Sequence, residues 1–179
     1  MAPAPVLRAL LTAALAFGVL SGCSGYDADD ARYATGYGSH EPLAVVGYPT
    51  TGSLGITQEV VWQIADGKAG ELAGLAAETD GDSPEKTAEK TASNWISAFG
   101  KGARGKVTAE FYDEGSVRQT VVLYFHDTGQ IKQLHVRVSD GGGKDEWRVV
   151  MAEPDPEEAV AVLPWVPRKP GELGSKTPQ

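Results

Sequence analysis

Apolar and polar positions follow two different periods along this chain, and the change between them divides its central region. From residue 57 to residue 99 apolar residues recur at helical spacing. That spacing predicts a first helix with Thr57 as N-cap, Ile56 and Val61 as a hydrophobic staple, and a stop near Asp66-Gly67. Leu72, Ala73, Leu75 and Ala76 mark a second, short helix, against which Gly70 and Gly74 each cost roughly 1 kcal/mol relative to alanine. A third helix carries the strongest signals. Ser83 caps it, Pro84 suits the first position, Glu85 meets the positive end of the dipole, and Gly100 is expected to end it. Ala88, Thr91, Ala92, Trp95, Ile96 and Phe99 form its apolar face.

After Gly105 the period falls to two, which predicts strands over residues 106–112, 117–126, 131–139 and 146–152. A two-residue turn at Thr128-Gly129 would pair Leu123 with Leu134 and Val121 with Val136. A three-residue turn at Asp113-Glu114-Gly115 would pair Phe111 with Val117 and Val107 with Val121, with Gly115 in the left-handed position. Both turns are chosen to keep one apolar face continuous, since a shift of one residue would turn every side chain over. Phe125, Val138, Trp147, Val149 and Met151 extend that face. The opposite face receives Tyr112, Val122, Tyr124, His126, Ile131, His135 and Arg137. Helices followed by strands predict an α+β fold, N-terminal helices packed on a curved four-stranded antiparallel sheet.

The start of the chain has a different pattern. Arg8 precedes an apolar run from Ala9 to Leu20, closed by the small residues Ser21 and Gly22, as in a secretory signal. Twelve helical residues cover about 18 Å, short of the roughly 30 Å hydrocarbon core of a bilayer. Leu20-Ser21-Gly22-Cys23 resembles the lipobox of bacterial lipoproteins. The resemblance implies that residues 1–22 are removed and that Cys23, the only cysteine, is the lipidation site. It also implies that the membrane is a partner through the anchor, with the chain on the extracytoplasmic face of the cell membrane. Two or more acyl chains hold a protein stably on a bilayer, whereas one gives reversible binding. Residues 23–42, rich in glycine and acids with Tyr26, Tyr33 and Tyr37 and no periodicity, read as a flexible tether. Residues 43–153 form one α+β domain, and residues 154–179 a proline-rich tail with Trp165 as a docking point.

The formal net charge of −8, made one unit more negative by loss of Arg8, argues against nucleic acid as a partner. Candidate chemistry is sparse. Asp80 and Asp82 sit in a loop where turn or cap duty is the default. Tyr112 and the sheet histidines fall opposite the core. His126 and His135 share a face four residues apart along it, about 13 Å, too far to ligate one metal ion. Gly141-Gly142-Gly143 lacks the lysine, serine and helix of a phosphate loop. No acid and base pair, metal or cofactor is therefore expected. The outward set Val122, Tyr124, His126, His135 and Arg137 mixes apolar, aromatic and polar groups, and is the expected surface for a protein partner or a second copy.

Residues 54 to 152 are similar to the NTF2-like superfamily in element order, in the Asp66-Gly67 break and in the Trp147-Arg148-Val149 strand. The resemblance implies a curved sheet wrapped into a cone; a cystatin-like helix and sheet is the structural alternative, disfavoured by three leading helices. The superfamily includes pocketed isomerases and cyclases as well as non-catalytic binding domains, so fold alone does not choose. The expectation is a membrane-tethered lipoprotein with a non-catalytic interaction or ligand-binding domain. The alternatives are a small pocket enzyme of the SnoaL or ketosteroid-isomerase type, and an accessory of a cell-envelope or conjugation complex.

Overall fold

The computed structural model describes residues 38–78, 84–139 and 146–160, together with two short strands at Trp165–Val166 and Ser175–Lys176. The signal segment, Cys23, Tyr26, Tyr33 and Tyr37, the Asp80 to Ser83 loop and Gly141 to Gly143 lie outside the described residues. In chain order the elements are β1 (Ala44–Gly47), α1 (Thr51–Asp66), α2 (Ala69–Ala73), α3 (Pro84–Ala103), β2 (Val107–Asp113), β3 (Arg118–Phe125), β4 (Gln130–Ser139), β5 (Glu146–Val149) and α4 (Pro156–Ala159).

Helix α1 starts seven residues before the position expected from apolar spacing, because Thr50 is the cap. Its hydroxyl accepts from the Ser53 N–H at 3.0 Å, and the Ser53 hydroxyl accepts from the Thr50 N–H at 2.9 Å, a reciprocal capping box. Thr57 is buried within the helix instead, and its hydroxyl donates to the Ser53 carbonyl at 2.7 Å. The stop is where the sequence places it: Gly67 takes a left-handed φ of 73°. Helix α3 runs past Gly100 to Ala103, so that glycine is not a terminator. Gly100 and Gly102 are buried, and a Cβ on Gly102 would lie 2.7 Å from Cβ of Phe125. Gly102 thus lets the last turn of α3 approach the sheet, while Gly100 faces the Ile64 carbonyl of α1.

The sheet has five strands in the order β1-β2-β3-β4-β5, with β1 parallel to β2 and the other pairs antiparallel. The expected four-stranded antiparallel sheet is corrected by the addition of β1, whose four residues were too short to show a period. Residues 75–77 border the far edge, Ala77 donating to the Val149 carbonyl at 2.8 Å and Val149 to the Leu75 carbonyl at 3.0 Å. Strand pairing also differs from expectation. Phe111 faces Val121 and Val107 faces Phe125, a shift of four residues; Val121 faces Leu134 and Leu123 faces Lys132, a shift of two. Both connections are four-residue loops rather than tighter turns, with Gly115 and Gly129 at positive φ. Even shifts preserve the faces of the residues that stay in strands, but Val117, expected on the core face opposite Phe111, falls in the β2–β3 loop and is 54% exposed, because the four-residue loop takes it out of β3.

Helices α1, α2 and α3 supply the apolar layer that faces this sheet. Val60, Ile64, Leu72, Ala92, Trp95 and Phe99 pack with Ala109, Phe111, Val121, Leu123, Phe125, Leu134, Val136 and Val149 in one continuous core. Phe99 and Phe125 stack at 5.3 Å between ring centroids. The chain stays packed beyond Glu153: Asp155 caps α4, accepting from the Glu157 N–H at 2.9 Å, and Ala159 is fully buried.

Candidate functional site

The side chains capable of polar chemistry gather in two places, one on each face of the sheet. Strands β3 and β4 alternate, so Thr120, Val122 and Tyr124 stand on the outer face beside His135, Gln133 and Ile131. Val122 and Ile131 are buried, at 5% and 8% exposure, with Tyr112 and Tyr124 packed against them. Val122 is thus a support for this surface rather than an exposed part of it. His126 and His135 are exposed and Arg137 is half-buried.

Around that apolar floor the polar groups are ordered. The Gln133 amide donates to Nε2 of His135 at 2.8 Å, which leaves the Nδ1 proton for Thr120 Oγ1 at 3.1 Å. The Thr120 hydroxyl in turn donates to Glu114, so the chain of donors ends on a carboxylate in the β2–β3 loop. Nearby, His126 Nε2 lies 2.8 Å from Thr108 Oγ1, and its ring meets Tyr124 edge-on at 4.7 Å. Arg137 donates to the Glu78 carbonyl, tying this face to the segment after α2. His126 and His135 therefore have separate partners, and among the described residues no group of three His, Cys, Asp or Glu side chains is placed to hold a metal ion.

The second place is on the core face, where Lys132 stands opposite Leu123 and is only 3% exposed. Its ammonium pairs with Glu153, lies 5.0 Å from the centre of the Trp95 ring and donates to the Ala159 carbonyl at 3.3 Å. Glu153 is held from three further directions. Its carboxylate accepts from Trp95 Nε1 at 2.7 Å, its N–H donates to Thr91 Oγ1 at 2.9 Å, and its carbonyl accepts from Asn94 Nδ2 at 3.2 Å. Burial pushes the Lys132 pKa below the ordinary lysine range, and the Glu153 hydrogen bond and charge only partly offset this. The pair fastens the segment after β5 across the end of the core. Every group in it has a structural partner.

Sequence reasoning missed this pair. The signal was available in the phase of β4, where Lys132 falls in step with Leu134 and Val136, but its acidic partner lies at the far boundary of the domain. Tyr112 is on the outer face, where the strand phase places it, and the aspartates of the loop before α3 lie outside the described residues. A groove of about 310 Å³ runs between α2, residues 76–78 and the start of α3, lined by small side chains and by Glu78, Glu85 and Glu89.

No family model, curated protein or solved structure matches this chain.

Proposed function

We propose that this protein is a membrane-tethered extracytoplasmic lipoprotein whose α+β domain recognises a partner without catalysing a reaction, through the outer face of its sheet. One observation carries the reading: Gln133, His135, Thr120 and Glu114 form a directed hydrogen-bond chain on the surface, beside Tyr124 and His126. Ordered polar groups next to half-buried aromatics are what a binding surface requires, because little side-chain freedom is left to lose on association. The core face supports the same reading. Trp95, Phe99, Phe125 and Leu134 fill the space between helices and sheet, and the Lys132–Glu153 pair is engaged in holding residues 151–160. A kinship with the NTF2-like superfamily, with the sheet as one wall of its cone, belongs to this proposal, as does the anchor at Cys23.

The test is crosslinking in native membranes with identification of captured partners, comparing the native chain with a His135→Glu, Arg137→Glu variant. His135 is exposed and Arg137 half-buried, so both positions accept a charge more readily than the buried Val122. Capture by the native chain and its loss in the variant at unchanged melting temperature is the expected result. Equal capture by both, or capture of another copy of this chain at an unrelated face, would reject the outer face as the recognition surface. Metabolic labelling with palmitate, absent in Cys23→Ala, checks the anchor separately.

A further inference from the structure

A buried stripe crosses the outer face of the sheet at right angles to its strands. Val46 on β1 faces Glu110 on β2, and Glu110 faces Val122 on β3; the three are 0%, 0% and 5% exposed. In the adjacent row Thr108 faces Tyr124, which faces Ile131 on β4, and Thr108 and Ile131 are 2% and 8% exposed. The rows on either side are more open: Lys106, His126 and His135 are exposed, and Tyr112 and Thr120 half-buried. An antiparallel sheet covered by helices on one face leaves the other to water. Here α1, α2, α3 and α4 all contribute to the core on the opposite face, so none of them accounts for the stripe. Glu110 has given up contact with water as well, which is costly for a carboxylate unless a cation or donors lie beside it.

Two segments of the chain flank the domain and are long enough to lie there, and chain path and charge choose between them. The leading segment enters on the helix side, where His40 stacks on Trp62 at 5.3 Å and its Nε2 lies 2.9 Å from Asp66 Oδ1 at the end of α1. Its residues 24–37 carry Asp27, Asp29 and Asp30 against one cation, Arg32, the wrong sign for Glu110. The C-terminal segment leaves from the margin of the sheet. Lys132 Nζ donates to the Ala159 carbonyl at 3.3 Å, and β5 pairs with β4 only from Val136 to Ser139, so among the described residues no strand is paired beyond 130–134. Ile131, where the stripe begins, is the neighbour of Lys132. Residues 161–179 hold Val162, Leu163, Trp165 and Val166, then Arg168 and Lys169, with Glu172 as the one acidic side chain. The backbone pairs Trp165 with Lys176 and Val166 with Ser175, which makes a ribbon of two strands about 5 Å apart for two rows about 7 Å apart. Pro164, Pro167 and Pro170 keep this segment from joining the sheet as a further strand.

We propose that the C-terminal segment, residues 161–179, turns round the free margin of β4 and lies across the outer face from Ile131 to Val46, with its apolar residues on Val122, Tyr124 and Ile131 and with Arg168 and Lys169 beside Glu110. Residues 161 to 169 extend over about 30 Å, against about 10 Å to turn the margin and about 10 Å more to reach β2. The inference goes beyond the recognition surface proposed above and depends neither on it nor on the anchor. The tail takes the part of the face on β1, β2 and β3, and leaves Gln133, His135 and Thr120 at its border. It also denies a second copy the apolar band through which the face could pair with itself.

Hydroxyl-radical footprinting of the full chain, read residue by residue by mass spectrometry, measures side-chain access along the stripe. In a Leu163→Asp, Trp165→Asp variant Val122, Tyr124 and Ile131 are expected to react at least about threefold faster than in the native chain, since a sheet face without cover is solvated. An Arg168→Glu, Lys169→Glu variant should show part of that rise, because it sets like charge against Glu110. Leu134, 1% exposed in the core, and the exposed His135 should react as before in both. Tyr26→Asp, Tyr33→Asp, Tyr37→Asp in the leading segment should leave the stripe unchanged. If the first variant also exposes Leu134, and so loosens the fold, the charge-reversed variant decides alone. A stripe that stays protected when the tail is altered, or that opens only when the leading segment is altered, would overturn the proposal. So would protection of the native chain that disappears on about tenfold dilution, which would assign the cover to a second copy.

Discussion

The two faces of the sheet are built from the same strands, yet they handle polar groups in opposite ways. On the core face the charged side chain of Lys132 enters a mainly apolar layer, which also holds the buried Gln119, and is surrounded by Glu153, Trp95 and the Ala159 carbonyl. On the outer face, where Glu110 and Thr108 are buried beside Val122 and Tyr124, an apolar floor of Val122 and Ile131 lies beneath polar groups that run from one to the next and end on the exposed Glu114. Desolvation explains the contrast. A buried charge has to find its compensation within the protein, whereas polar groups on an open face can exchange protein partners for water or for another molecule at small net cost.

The comparison breaks most readily where the core is densest. Phe125→Ala removes the ring stacked on Phe99 from a fully buried site and should cost about 3–5 kcal/mol, measured by urea unfolding. A loss below about 1 kcal/mol would mean that the core face is not what holds the fold.

The buried pair should respond asymmetrically, since Lys132 is 3% exposed and the Glu153 side chain 30%. Glu153→Ala leaves a buried ammonium unpaired and should cost about 3 kcal/mol, whereas Lys132→Met leaves a carboxylate with access to water and should cost about 1 kcal/mol or less. The sign with pH follows from the depressed lysine pKa. The unfolded chain binds more protons than the folded one between the lowered value and the ordinary lysine range, so this group's contribution to stability rises as pH rises through that window. Without Glu153 the lysine pKa falls further, so the rise in stability should begin at lower pH in Glu153→Ala than in the native chain. Denaturation curves at several alkaline pH values would show it, and a flat profile would contradict the assignment.

The smallest expected effect lies at the chain entry. Burial raises the Asp66 pKa, but hydrogen bonds and charges from His40 and Lys68 outweigh it and hold the carboxyl below its usual value. The stabilisation is present above the unfolded aspartate pKa and is lost as pH falls through the lower folded value. Asp66→Asn should therefore reduce the steepness of the acid unfolding limb slightly and leave neutral stability almost unchanged, the site being partly exposed and screened.

Much of the helical layer and of the sheet's two-sided character was legible because each rests on local period. Ala88, Ala92, Trp95 and Phe99 are buried at helical spacing, and the alternating residues of β3 and β4 face the sides their phase assigns. The start of α1 was not legible, because Thr57 and Thr50 are both hydroxyl residues before apolar positions, and only the reciprocal bonds with Ser53 distinguish them. Gly100 misled for a related reason: a glycine can end a helix or sit inside it against a neighbour, and here it is buried within α3 facing the Ile64 carbonyl of α1. For the outer surface the membership was readable, but the burial of Val122 and the Gln133 to Glu114 chain required the actual loop and register.

The sequence by itself determined an α+β chain with two faces to its sheet, because side-chain period fixes which positions share a side and any even slip in pairing preserves that choice. Tertiary structure decided which residues meet. It set the loops at four residues, added β1 beside β2, and brought Glu153 to Lys132 from across the domain. The reason is physical: local pattern specifies phase, while partners are set by turn geometry and by the energetic need of a buried charge to be neutralised, and these are properties of distant segments together.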